Sequence, residues 1–421
     1  MLEIVRPADS GYSELQHVYS RAGHPAAVYL PRSASEVAEA VSRVHDSGRP
    51  LAVRSGGHGI SSVATNDGGD VIDLRNLSSV NYLGGHSVRI GPGARWGQVA
   101  RELYSNGLAL SSGDSGDVGV GGLATTGGIG LMGRAHGLTI DRLRRAELVT
   151  ADGSVRLVSE EESTDLFWAV RGAGANVGIV TSFEFEAAAT PIVIQLTAMY
   201  QPGDMARFLR AWGATVEEAP NEVSAFLYTG GGPTPFAQAT IVYAGDDVDA
   251  ARPHIESFLQ LPGLAGQRAL VTPYAAVPLT SGQPHTGQQT AGTHTGLATH
   301  VDDALSERIA ELLRGGGADM VQIRSVGGAI NDVSASATAY AHRHQNFSVT
   351  AVATAPGDHF DSAWEPVHQL MDGMYLSFES NHNAEHLLEA FPAETLSRLR
   401  QIKARWDPED IFNQNFDVTP K

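Results

Sequence analysis

Arg54-Ser-Gly-Gly-His-Gly59 follows directly on the short apolar run Leu51-Ala-Val53, and the fold is read outward from this junction. Backbone amides can cradle a pyrophosphate only where side chains do not block the approach, and consecutive glycines after a strand supply that freedom. An isolated Gly-Gly pair is equally a tight turn that needs positive φ. Upstream, Ser33 and Glu36 form a capping-box pattern, and Val37, Val41 and Val44 recur at helical spacing before Gly48. The local order is therefore helix, strand, glycine loop. Downstream, Val71 to Leu74 and Ser87 to Ile90 read as strands, and Trp96 to Asn106 as a helix closed by Gly107.

A second glycine tract runs from Gly113 to Gly137 and offers backbone with few bulky side chains, along which an extended ligand can lie. Neither tract carries G-x-G-x-x-G at a strand-to-helix turn, so a doubly wound nicotinamide-binding domain is not indicated. Asp152-Gly153 marks a hairpin, Asp165 to Val170 a short helix and Ile179 to Phe185 a strand. After Thr190 the glycine-dense loops give way to strands (192–200, 223–228, 240–243) and helices (205–216, 305–314), which sets a domain boundary there. Ser281 to Thr299 reads as a loop, and Ala393 to Arg405 as the last helix. His342-Arg-His344 reads as strand, with both imidazoles on one face. No third ligand stands at a metal-site spacing, and no metal is expected.

With 421 residues, 42% of them hydrophobic, the chain is long enough for two packed lobes. Its 29 basic and 47 acidic side chains give a formal charge of −18, which repels phosphate backbones and anionic lipid surfaces. Nucleic acid and membrane are thus not expected partners; a small molecule is. The absence of cysteine excludes disulfides, thiolate metal sites and a cysteine nucleophile. The first ten residues lack a basic start and a continuous apolar stretch, so a cytoplasmic location is expected. The composition is silent on oligomeric state.

Arg54-Ser-Gly-Gly-His-Gly59, Thr65 to Arg75, Val118-Gly-Val-Gly-Gly-Leu123, Asp165 to Gly174, Gly178 to Thr181, Ala341-His-Arg343 and Asp407 to Asn415 together resemble a known family. It is that of the FAD-linked oxidases of the vanillyl-alcohol-oxidase superfamily, and within it the berberine-bridge-enzyme-like group of the 6-hydroxynicotine-oxidase type. The resemblance implies an α+β fold: a two-part FAD-binding domain of the PCMH type (1–190, with 385–421 returning to it) and a substrate-binding domain (191–384). The latter is expected to hold a mixed or antiparallel sheet backed by helices.

The same resemblance implies the site. His58 is the residue that would bond to the flavin 8α-methyl group. Ser115 stands where many relatives place a second, cysteine-borne link, so a single link is expected. Val118 matches a position that lines the path of dioxygen, where valine accompanies oxidase behaviour. Asn415 would meet the pyrimidine end of the ring, and His136 lies where relatives often place Tyr or His near the cofactor. The flavin bed is expected to comprise Arg54, Ser55, Gly56, Gly57, Gly59, Asp117, Gly121, Gly122, Thr125, Gly127, Gly128, Gly130, Gly178, Ile179 and Val180. Tyr340, His342 and Tyr375 are candidate catalytic residues, although Ser377 replaces the asparagine of the family's Tyr-x-Asn segment.

The expected reaction moves a hydride from a C–N or C–O carbon to FAD and reduces dioxygen to hydrogen peroxide. Sugar or natural-product oxidation on the same fold remains open, as does a dehydrogenase with another electron acceptor. Gly113-Asp-Ser-Gly116 also spells a serine-hydrolase segment, but the double β-barrel that such a site needs is contradicted by the repeated helical periodicity.

Overall fold

A computed structural model describes residues 1–419 except 233, 289, 290, 382, 384, 385 and 415. The capping pattern at Ser33 is realised: its Oγ accepts the Glu36 N–H at 3.2 Å, while the Glu36 carboxylate takes the N–H of Arg32 at 2.9 Å. The helix Ala34–Ser47 that follows buries Val37, Ala40, Val41 and Val44, and Gly48 ends it in the left-handed region at φ 63°. The chain then enters the strand Leu51–Arg54 at the edge of a four-stranded sheet, parallel to its neighbour Asp70–Asp73. Residues 55–59 leave from the C-terminal end of that strand.

A second, five-stranded sheet is antiparallel throughout, with Ile179–Glu186 at its centre. The hairpin expected at Asp152-Gly153 joins Leu143–Val149 to Val155–Ser159, with Gly153 at φ 74°. The helix Ala393–Trp406 returns from the far end of the chain and packs Leu396, Leu399 and Ile402 into the same core as Leu166, Phe167 and Phe183. Buried Lys403 fixes the turn after it, reaching Asp407 at 2.6 Å and the Phe412 carbonyl at 2.9 Å.

The third sheet has seven antiparallel strands in the order Leu264–Pro273, Ile192–Tyr200, Phe236–Tyr243, Val223–Gly230, Met320–Ser325, Phe347–Ala353, Gly292–Ala298. Period-two alternation gives it two apolar faces. Leu196, Ala225, Leu227 and Ile323 pack against helices that include Met205–Glu218, Asp303–Arg314 and Asp358–His368. Val193, Phe226, Val242 and Leu297 face the other way, onto Ile129, Leu131, Leu138 and Ile140 of the second glycine tract and its continuation. This second contact lays the sheet against the glycine-rich bed.

Two local readings are corrected. Residues 292–298, expected within a loop, form a strand whose every residue is buried. The helix Asp358–His368 and the chain around Met371 cover it, so Gly, Thr and His sit where aliphatic side chains would normally mark a strand. His342 to His344 is not a strand; the segment crosses as irregular chain held by side-chain bonds. Among the described residues no helix is long and apolar enough to cross a membrane.

Candidate active site

The two glycine tracts meet backbone to backbone. A Cβ on Gly56 would fall 2.5 Å from the Gly119 nitrogen, and one on Gly119 only 2.1 Å from the Gly56 nitrogen, so neither position admits a side chain. Ser55 pins the junction, its Oγ donating to the Pro92 carbonyl at 2.6 Å and accepting the Gly121 N–H at 3.1 Å. Beneath it, buried Arg54 donates to the carbonyls of Leu15 at 2.7 Å and Ala64 at 3.0 Å, beside Asp73. Arg54 thus braces the loop from behind.

Along this junction runs a cavity of about 370 Å³. It is lined by Ser55, Gly56, Gly57, His58, Gly59, Ser115, Val118, Gly121, Gly122, Thr125, Gly178, Ile179, Val180 and Tyr375, all singled out from the sequence. Arg54, Asp117, Gly127, Gly128, Gly130 and His136 are not among its lining residues. Asp117 instead accepts the Ser281 N–H and hydroxyl at 2.7 and 2.6 Å. The Gly128 N–H donates to the Tyr375 hydroxyl at 3.0 Å, and Gly130 is pressed against the Ser112 carbonyl. His136 has its pKa lowered by burial and then by Arg142, and its Nε2 is buried without a partner. Asn415 lies outside the described residues.

His58 stands at one end, its ring 4.4 Å from that of Tyr19 and 5.3 Å from that of His285. Its Nδ1 is buried with no hydrogen-bond partner. Burial, reinforced by the neighbouring His285, pushes its pKa down to about 4, so the imidazole is neutral near pH 7. His285 is held by a 2.9 Å contact between its Nε2 and the Gly56 carbonyl, which requires the proton on Nε2.

The opposite wall comes from the seven-stranded sheet. Gln322 and Arg324, two residues apart on one strand, both face the cavity. Arg324 reaches Asp114 at 3.0 Å, with its guanidinium 4.3 Å from the Phe378 ring and 4.9 Å from the Phe226 ring. Tyr228 donates its hydroxyl to the same carboxylate, and Gln322 approaches it at 3.5 Å. Tyr340 and His342 are not among the lining residues. Tyr340 packs edge-on to Tyr375 with centroids 6.0 Å apart, its pKa raised by burial, and the His342 Nε2 sits 3.1 Å from the Ala390 carbonyl.

Tyr19, Asp114, His285, Gln322, Arg324 and Phe378 escaped sequence reasoning. For Gln322 and Arg324 the available signal was two polar residues at alternate positions of the otherwise apolar Met320-Val-Gln-Ile-Arg. For Asp114 it was adjacency to Ser115.

Two features of the chain suit FAD. The bed is bare where a ligand must lie close, with open space above Gly122, and His58, whose Nδ1 has no hydrogen-bond partner, lines the cavity. Residues 25–159 match the family model described as an FAD binding domain. The chain is 28% identical to (R)-6-hydroxynicotine oxidase of Paenarthrobacter nicotinovorans, over 100% of this chain and 97% of that protein. It is 29% identical to chitooligosaccharide oxidase of Gibberella zeae, over 94% and 88%. The crystal structure of 6-hydroxy-D-nicotine oxidase from Arthrobacter nicotinovorans superposes with a TM-score of 0.87 at 26% identity, covering 100% and 98% of the two chains.

Fold and site therefore define an FAD-dependent oxidoreductase. Residues 25–159 thus carry the FAD binding domain, and the whole chain shares its fold with 6-hydroxy-D-nicotine oxidase.

Proposed function

We propose that this chain is an oxidase that carries FAD on His58, takes a hydride from a small-molecule carbon bonded to nitrogen or oxygen, and gives the electrons to dioxygen as hydrogen peroxide. The observation that carries this reading is the state of His58. A neutral imidazole that lines the cavity and has a nitrogen free of any protein partner is the form able to bond to carbon. FAD, when bound, supplies the two-electron chemistry. Ser115 cannot form a thioether, which leaves His58 as the single tether. Val118 on the cavity wall supports dioxygen as the acceptor.

The chain's own contribution is position and desolvation. Residues 1–190 and 385–421 hold the cofactor, and 191–384 bring the substrate wall. Gln322 and Arg324 present hydrogen-bond donors at the cavity, with Arg324 oriented by Asp114 and stacked beside Phe226 and Phe378 so that its polar edge alone is available. Tyr375 is fixed by the Gly128 N–H and keeps its own hydroxyl proton free to meet a substrate heteroatom. The relatives named for 6-hydroxynicotine and for chitooligosaccharides support a small polar substrate.

Acid precipitation of the purified protein and of His58→Ala tests the tether: a yellow native pellet beside a colourless variant pellet is expected, and a colourless native pellet overturns it. Mixing the reduced protein with air tests the acceptor. Fast reoxidation with peroxide release is expected; slow reoxidation assigns a dehydrogenase.

A further inference from the structure

Away from the flavin cavity, three metal-ligating side chains converge where two helix ends meet. His368 ends the helix Asp358–His368, and His386 precedes the short helix Leu387–Ala390, which bears Glu389. His368 Nε2 lies 2.8 Å from one Glu389 oxygen and His386 Nδ1 3.5 Å from the other. The ligand atoms all fall within 4.8 Å of one another. Tetrahedral ligands about 2.1 Å from an ion stand about 3.4 Å apart, so small side-chain rotations bring all three onto one centre.

Two further observations point to an ion rather than to a plain hydrogen-bonded cluster. His386 Nδ1 is buried yet has no partner at full hydrogen-bond range, since 3.5 Å to Glu389 is too long for a good N–H···O bond. Behind His368, its Nδ1 faces the Glu365 carboxylate at 3.7 Å, and Gln369 donates to that carboxylate at 3.0 Å. A small rotation would bring this carboxylate into the hydrogen-bonded position that orients an imidazole towards a metal. The three side chains are 24%, 17% and 31% exposed, which leaves an open coordination position and a path for entry.

We propose that His368, His386 and Glu389 form a binding site for a first-row divalent cation of the zinc type, with water as the fourth ligand. Two imidazoles and one carboxylate suit zinc, whereas magnesium and calcium prefer all-oxygen shells. The segment between the two histidines carries Tyr375, Ser377 and Phe378 into the flavin cavity, and the Met374 N–H donates to the Glu389 carbonyl at 3.1 Å. The ion joins both ends of that segment and so steadies the wall it supplies.

The test uses tag-free holoprotein stripped with chelator and dialysed against zinc, with magnesium as the control. Elemental analysis is expected to find one more zinc per chain in the native protein than in His386→Asn, and zinc is expected to raise the melting temperature of the native protein alone by about 2–4 °C. If His386→Asn fails to fold, Glu389→Gln carries the same comparison. Equal zinc content in native and variant chains, or an equal shift with magnesium, overturns the site.

Discussion

Asp141 and Arg343 meet as a bidentate pair, with both guanidinium-to-carboxylate distances at 2.8 Å and both side chains buried. Asp141 follows the second glycine tract and Arg343 the third sheet's Met320–Ser325 strand, so the pair ties the cofactor bed to the chain that carries Tyr340. Arg343 also donates to the Thr338 hydroxyl and lies near the Tyr340 and Ile330 carbonyls, which leaves little room for water to replace a lost partner. Arg343→Met should therefore cost about 3–5 kcal/mol by stranding the Asp141 charge. The double variant Asp141→Leu, Arg343→Met should recover part of that loss. Urea unfolding of the three chains checks it, and a double variant no better than the single one would count against the stranded-charge account.

The tilted packing of the Tyr19 ring against His58 carries a second prediction. The Tyr19 ring, 4.4 Å away at 33°, limits rotation of an imidazole whose Nδ1 has no hydrogen bond to steer it. Tyr19→Phe keeps that ring contact and should leave the acid-stable flavin content unchanged. Tyr19→Ala should lower it severalfold while free FAD still binds. Absorbance of pellet and supernatant after acid precipitation separates the two; equal pellets in both variants would remove Tyr19 from any part in the tether.

At the crossing of the two tracts, Gly119→Ala places a methyl group 2.1 Å from the Gly56 nitrogen, in a backbone that cannot yield as a side-chain tip would. Overpacking of this kind costs about 1–3 kcal/mol. Because the displaced residues line the cavity, flavin content should fall together with stability. Gly122→Ala, where nothing lies within 4 Å, should leave stability near native and alter flavin content alone. Melting curves read beside the ratio of flavin to protein absorbance distinguish these outcomes.

The parts of the site legible in the sequence are those built from contiguous residues. Gly56, Gly57 and His58 follow a strand that its short apolar run marks, and the tract from Gly113 announces bare backbone without reference to anything distant. The other wall was hidden because it depends on which face of a strand turns inward. Gln322 and Arg324 become a wall only in the folded chain, where Asp114, Phe226 and Phe378 from remote parts of the sequence meet Arg324. His285 was unreadable for a similar reason, since the loop that carries it is brought to His58 by remote contacts, the hold of Asp117 on Ser281 and of the Gly56 carbonyl on His285 itself. The strand Gly292–Ala298 lacks the aliphatic alternation that normally reveals one, and its burial under the helix Asp358–His368 is a tertiary fact. Tyr340 and His342 had the right chemistry for catalysis, but neither lines the cavity: Tyr340 packs edge-on against Tyr375, and His342 is held at the Ala390 carbonyl.

The last prediction concerns His294, on that same strand. Its ring stacks on Phe360 with centroids 4.5 Å apart, its Nδ1 faces Glu379 at 3.2 Å and its Nε2 faces Asp361 at 2.8 Å. Burial pulls its pKa down, but bonding and charge from Glu379, and then from Asp361, outweigh this and leave it raised. A histidine that binds its proton more tightly when folded stabilises the fold fully below its unfolded pKa of about 6.5, and loses that contribution as pH rises through the folded value. The native melting temperature should thus decline from about pH 6.5 upward more steeply than that of His294→Gln, which has no proton to lose there. Below that pH the two curves should run parallel. Melting curves across the range decide it: identical slopes above pH 6.5 would show that His294 enters the fold neutral.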